Sequence, residues 1–120
     1  MSTTQSGFDL REFRRGIEER DAAALRALYA EDAEIQLIDQ DNPPSHPRVL
    51  RGLEQIGAYL TDVCDREMTH EIQHAVTDGN TVNFFESCRY PDGTRVLCAA
   101  TLDLADGRIV RETGVQAWDR

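Results

Sequence analysis

From Thr69 to Arg120 the chain reads as four β-strands in succession, joined by three Gly-containing turns. Thr69 to Val76 runs into Asp78-Gly79-Asn80, and Thr81 to Tyr90 runs into Pro91-Asp92-Gly93-Thr94. Arg95 to Leu104 runs into Asp106-Gly107, and Arg108 to Trp118 follows. Asp-Gly between alternating strands signals a hairpin, because glycine supplies the positive φ such turns need. A meander of this kind has an apolar face and no partner of its own to bury it against. The cover must come from the preceding segments, so a curved sheet wrapped over helices is expected, with a cavity between them.

Those segments fit the role. Phe8 to Arg20 carries Leu10, Phe13 and Ile17 at helical spacing. Asp21 then reads as the N-cap of a second helix, Ala22 to Ala30, with Leu25, Leu28 and Tyr29 on its apolar face. Ala33 to Asp39 alternates as a strand, with Ile35 and Leu37 on one side and Glu34, Gln36 and Ile38 on the other. Asp41 to Arg48 holds three prolines and reads as a loop. Arg51 to Asp65 is a third helix, with Leu53, Ile56, Leu60 and Val63 in register. The order α-α-β-α-β-β-β-β is that of an α+β domain. One such domain is expected over residues 8–120, behind a flexible stretch at residues 1–7.

Composition removes several classes of function. The net charge of −9 argues against nucleic acid, which calls for a basic surface. No apolar run approaches the roughly 18 residues of a membrane helix. All 13 basic residues are arginines, so Schiff-base, pyridoxal-phosphate and P-loop lysine chemistry are excluded. Cys64, Cys88 and Cys98 form no Cys-x-x-Cys and read as reduced, buried thiols of a cytoplasmic protein. His70 and His74 have a helical metal-ligand spacing, but on a strand they lie about 13 Å apart. Neither a metal nor a cofactor is expected.

Three stretches carry a family resemblance. They are Asp21-Ala-Ala-Ala-Leu-Arg-Ala-Leu-Tyr-Ala-Glu-Asp-Ala-Glu-Ile, the helix start Arg51-Gly-Leu-Glu-Gln-Ile, and Asp106-Gly-Arg-Ile-Val-Arg with Trp118-Asp119 after it. Over nearly its whole length the chain resembles the SnoaL-like branch of the nuclear transport factor 2 superfamily, which includes the ketosteroid isomerases. The resemblance implies a cone-shaped barrel, a ligand pocket between sheet and helices, and a homodimer. It does not imply one activity, because this fold hosts isomerases, cyclases, hydrolases and non-catalytic modules. The isomerase set is absent: the positions matching its base, tyrosine and later acid are Leu37, Phe13 and Ala100.

If each turn is a three-residue loop, the even-numbered residues share one face across all four strands. That face is the more apolar and is assigned to core and pocket. The odd face, with Phe85, Leu97 and Val115, is assigned to a dimer interface. Polar groups on the even face mark the candidate site. Glu86 with His74 is the first acid–base pair, and Asp39 is the second candidate base. Phe13, Tyr29 and Tyr59 from the helices and Leu37 from the first strand are expected in the pocket wall. His70, Phe84, Cys98 and Ala100 join them, with Glu112, Gln116 and Trp118 from the last strand. The expected ligand is small, partly apolar or carbonyl-bearing. Two functions stay open: general acid–base catalysis, and a non-catalytic ligand-binding or protein-interaction module.

Overall fold

The computed structural model describes residues 7–119; apart from Gly7, the stretch expected to be flexible lies outside them. Helices α1 (Leu10–Glu18) and α2 (Ala22–Arg26) begin at side-chain caps, where Asp9 accepts from the Glu12 amide and Asp21 from the Ala24 amide. At their crossing, a Cβ on Gly16 would lie 2.8 Å from a Leu25 methyl. Only glycine allows so close an approach.

Strands β1 (Tyr29–Ile38) and β2 (Arg48–Arg51) follow, then α3 (Gly52–Asp65). The meander is β3 (Thr69–Asp78), β4 (Thr81–Arg89), β5 (Arg95–Ala105) and β6 (Arg108–Trp118). The six strands form one sheet in the order β2-β1-β6-β5-β4-β3, antiparallel except for the β1–β6 pair. The sheet curves over the helices without closing, an α+β cone. Among the described residues, no helix is long and apolar enough to cross a membrane.

Two boundaries differ from expectation. The second helix stops at Arg26, because the next residues are taken by β6: the Leu28 carbonyl accepts from the Ile109 amide, and Tyr29 pairs with Ile109. The expected proline loop ends in a strand, β2, whose Leu50 pairs with Ile35. Four residues beside three prolines are too few to show a periodicity.

The core lies where the concave face meets the helices. Phe13 of α1 packs edge-on to Phe84 at 5.3 Å, and Leu25, Ile35, Ile56, Val82, Leu102 and Ile109 are fully buried around it. On the convex face Phe85, Leu97 and Val115 are 42%, 44% and 49% exposed.

The expected parity holds through the middle of the meander, where Phe84 faces Ala100 and Leu102 faces Glu112. The Pro91-Asp92-Gly93 loop keeps it, with Arg89 opposite Arg95. The other two turns are tighter than expected. Thr81 pairs directly with Asp78, and Arg108 with Ala105, so each loop has two residues. A bulge in each hairpin absorbs the difference. In the last hairpin it buries Ile109 in place of Val110. In the first it turns His74 outward.

Candidate functional site

A cavity of about 320 Å³ opens between α3 and the concave face. Leu37 of β1, Tyr59 and Val63 of α3, and Val96 and Cys98 of β5 give it apolar walls. Arg48, Asp39, Arg66, Gln116 and Trp118 also line it. Behind it a chamber of about 60 Å³ runs toward the core between Phe13, Ile17, Leu25 and Tyr29. His70, Glu86, Glu112 and Tyr59 line both spaces, so the ionisable groups sit where the two meet.

Two hydrogen-bonded pairs organise these groups. In the first, His70 and Glu86 join β3 to β4, with Nδ1 2.7 Å from Oε2. Residue 70 lies opposite Cys88, and Glu86 precedes Cys88 by two on the same face. The Cys88 thiol therefore reaches both, 3.3 Å from Nδ1 and 3.4 Å from Oε2. Burial pushes that thiol well above its ordinary range, and the Glu86 charge pushes it further. With no ion beside it the thiol is held protonated, which argues against a thiolate nucleophile.

In the second pair, the Tyr29 hydroxyl donates to Glu112 Oε1 at 2.5 Å. The Glu112 carboxyl is raised to about 7: desolvation lifts it most, the Tyr29 bond pulls it down, and the Glu86 charge adds to the rise. Glu112 is thus a carboxyl that gains and loses its proton near neutrality. Burial holds Tyr29 itself far above its ordinary range, and Glu112 adds to that. Among the described residues no buried side-chain nitrogen or oxygen lacks a partner.

The other expected site residues divide plainly. Leu37, Tyr59, Cys98, Gln116 and Trp118 line the cavity, and Trp118 donates through Nε1 to Gln116 at 3.1 Å. Phe13 lines only the inner chamber. Phe84 and Ala100 are core residues that line neither space. His74 is not beside Glu86. It sits at the β3 bulge with φ of 55°, exposed, its ring edge-on to Phe85 on the convex side. The bulge is the physical reason, since one extra residue reverses the faces beyond it.

Asp39 lines the cavity but is occupied with its own loop. It accepts from the Asp41 and Asn42 amides and from the Asn42 side chain. Burial would raise its carboxyl, but those hydrogen bonds outweigh it and hold it below the usual range. Such a carboxylate is a weak base. Arg66, Met68 and Tyr90 are wall residues that strand parity could not identify, because they lie beyond the strand ends.

A sheet curved over three helices, with a polar cluster deep in its concave face, can be set against known proteins. The profile of the SnoaL-like domain matches residues 10–112. This chain belongs to the SnoaL-like family. No protein of curated function matches it in sequence. Among solved structures it is similar to an NTF2-like protein of unknown function from Mesorhizobium loti. The TM-score there is 0.77 at 21% identity, covering 90% of this chain and 87% of that one. A proposed ketosteroid isomerase from Kribbella flavida gives 0.75 at 18% identity, with 92% and 74% covered. The epoxide hydrolase/cyclase-like enzyme SalBIII, of pyran ring formation in the polyether salinomycin, gives 0.70 at 23%, with 90% and 87% covered. At these identities the SnoaL-like likeness is one of fold.

Proposed function

We propose that this SnoaL-like protein is an enzyme of the isomerase, cyclase or hydrolase kind. It would work by general acid–base chemistry on a small, partly apolar substrate. The observation that carries the reading is the Tyr29–Glu112 pair, which faces the same cavity as His70–Glu86. Two proton-handling groups facing one cavity are what such catalysis uses. Glu112, titrating near neutrality, takes a proton from the bound substrate. The Tyr29 hydroxyl, held at the carboxylate, steadies the charge it carries before and after. The His70–Glu86 pair exchanges the second proton, so that the reaction closes without a net proton. Leu37, Tyr59 and Val96 favour an apolar substrate body, and Gln116 offers an amide to orient a carbonyl. The family's isomerase- and cyclase-like structural neighbours fit such chemistry.

The test begins with a thermal-shift screen of steroids, polyketides, aromatic acids and terpenoids. A ligand at about 100 times its dissociation constant adds about 2.7 kcal/mol to stability. Proton exchange or turnover of the hit is then compared in wild type and Glu112→Gln. The expected loss is about 10²–10⁴-fold with ligand affinity retained. Full activity in that variant would remove Glu112 from the mechanism. Binding without any turnover would favour a ligand-holding module instead.

We further infer a homodimer through the convex face, supported by the exposed Phe85, Leu97 and Val115 on adjacent strands. Sedimentation equilibrium decides it: a monomer at high concentration would end this reading.

A further inference from the structure

His70 and His74, spaced along one strand, cannot share a metal ion. The structure brings together a different set of donors, across two strands. Opposed residues on neighbouring strands have Cβ atoms about 4.5–5.5 Å apart, close enough for their side chains to meet at one point. His70 on β3 and Cys88 on β4 are such a pair, and Glu86 joins them from the same face of β4. Their donor atoms all lie within 4.8 Å of one another.

We propose that His70 Nδ1, Glu86 Oε2 and Cys88 Sγ form a binding site for a zinc-class divalent ion, with its fourth position open to the cavity. Zinc holds such nitrogen, oxygen and sulfur donors at about 2.0–2.3 Å, which in tetrahedral geometry sets them about 3.3–3.6 Å apart. The two separations that involve sulfur, 3.3 and 3.4 Å, fall short of it by only about 0.2 Å. The 2.7 Å imidazole–carboxylate contact must widen most, by about 0.6 Å in that geometry.

The donor set selects the ion. A thiol and an imidazole disfavour magnesium and calcium, which take oxygen ligands, and favour a borderline-soft metal. As thiolate and carboxylate, Cys88 and Glu86 would carry two negative charges, matching a divalent cation. Burial also suits a defined site: the His70 side chain is 4% exposed and Cys88 is 7% exposed. Three ligands with an open cavity face is the layout of sites that bind a water or substrate, while structural zinc sites are closed by four. A bound ion would occupy His70 and Glu86 and displace the proton exchange proposed for that pair, leaving the Tyr29–Glu112 pair untouched. The two readings are told apart because this one is tested with the metal alone and without a substrate.

The experiment is titration of chelator-treated protein with Co²⁺, followed by Zn²⁺ competition. One equivalent is expected to bind with a sulfur-to-cobalt charge-transfer band in the near ultraviolet, and Zn²⁺ should remove that band. Loss of an outer-shell partner of a metal ligand costs about 10–100-fold in affinity, so loss of a ligand should cost at least about 100-fold. Cys88→Ser should abolish the band, and His70→Ala should weaken binding by that factor, whereas Cys64→Ser should change neither. Circular dichroism establishes that each variant is folded. Should Cys88→Ser not fold, protection of the wild-type Cys88 thiol from alkylation by Zn²⁺ decides the question instead. The site is refuted if no stoichiometric ion binds. It is equally refuted if binding lacks the sulfur band, or leaves the thiol unprotected, as for adventitious ions on an acidic surface.

Discussion

Each face of the meander departs at a few positions from what a sheet with one wet side usually shows. The concave face, turned to the helices, holds His70, Glu86, Glu112 and Gln116 among its apolar residues. The convex face presents Phe85, Leu97 and Val115 in the open. A sheet built only for stability would place charge outside and hydrocarbon inside. Both departures bear on the proposals above: the enclosed ionisable groups on the proposed acid–base chemistry, the exposed apolar groups on the proposed dimer. Polarity against expectation is therefore informative on either side of a sheet.

The contrast between faces can be broken most forcefully at its aromatic residues. Phe13→Ala, under the concave face, is expected to cost about 3–5 kcal/mol in denaturant unfolding. Phe85→Ala in the isolated chain should cost less than about 1 kcal/mol. Equal costs would mean that the convex face is not free in the monomer.

Next in size is the pH dependence of the half-buried Glu112 carboxyl. Glu112 has its folded pKa at about 7, above the ordinary value of 4.5. The folded state therefore holds the proton more tightly, and its contribution to stability is full below about 4.5. That contribution declines as pH rises to about 7, over a range of about 3 kcal/mol. Unfolding at several pH values should show this fall in wild type, and Glu112→Gln should flatten it. An unchanged profile would mean that Glu112 keeps an ordinary carboxyl.

A smaller effect concerns assembly. Leu97→Asp on the convex face should weaken the proposed dimer by about 2 kcal/mol, roughly 30-fold in dissociation constant. Sedimentation at graded concentrations checks it; no change would move the interface elsewhere. Smallest of all is His74→Ala, expected within about 0.5 kcal/mol in stability and without effect on any cavity ligand. A loss of ligand affinity there would mean that the bulge is differently arranged in solution.

What could be read from the sequence depended on how local each signal is. Glycine turns and alternation identified the meander, and apolar stripes at helical spacing identified α1 and α3. β2 escaped because Arg48 to Arg51 is stabilised by pairing with β1, not by its own residues. The site was half legible. Glu86, Glu112 and His70 were expected on the concave side, and they are there. The partner assigned to Glu86 was the wrong histidine, because a one-residue bulge cannot be seen in composition. The Tyr29–Glu112 bond could not be foreseen, since Tyr29 read as helical until the pairing of β1 with β6 drew it into a strand.

That pairing also fixes an order of assembly. β6 is the last strand in sequence, yet it lies inside the sheet, between β5 and β1. The hairpins from β3 to β6 close over short loops, so their entropic cost is small. β1 must instead wait for a partner some eighty residues further on, at Ile109 to Val115. On a ribosome, β1 and β2 would emerge with one edge unpaired until β6 is made, and long-range pairing of this kind slows folding. Closure of that seam also forms the Tyr29–Glu112 bond, because Tyr29 comes from one side of it and Glu112 from the other. The proposed site therefore depends on the longest-range strand pairing in the described sheet.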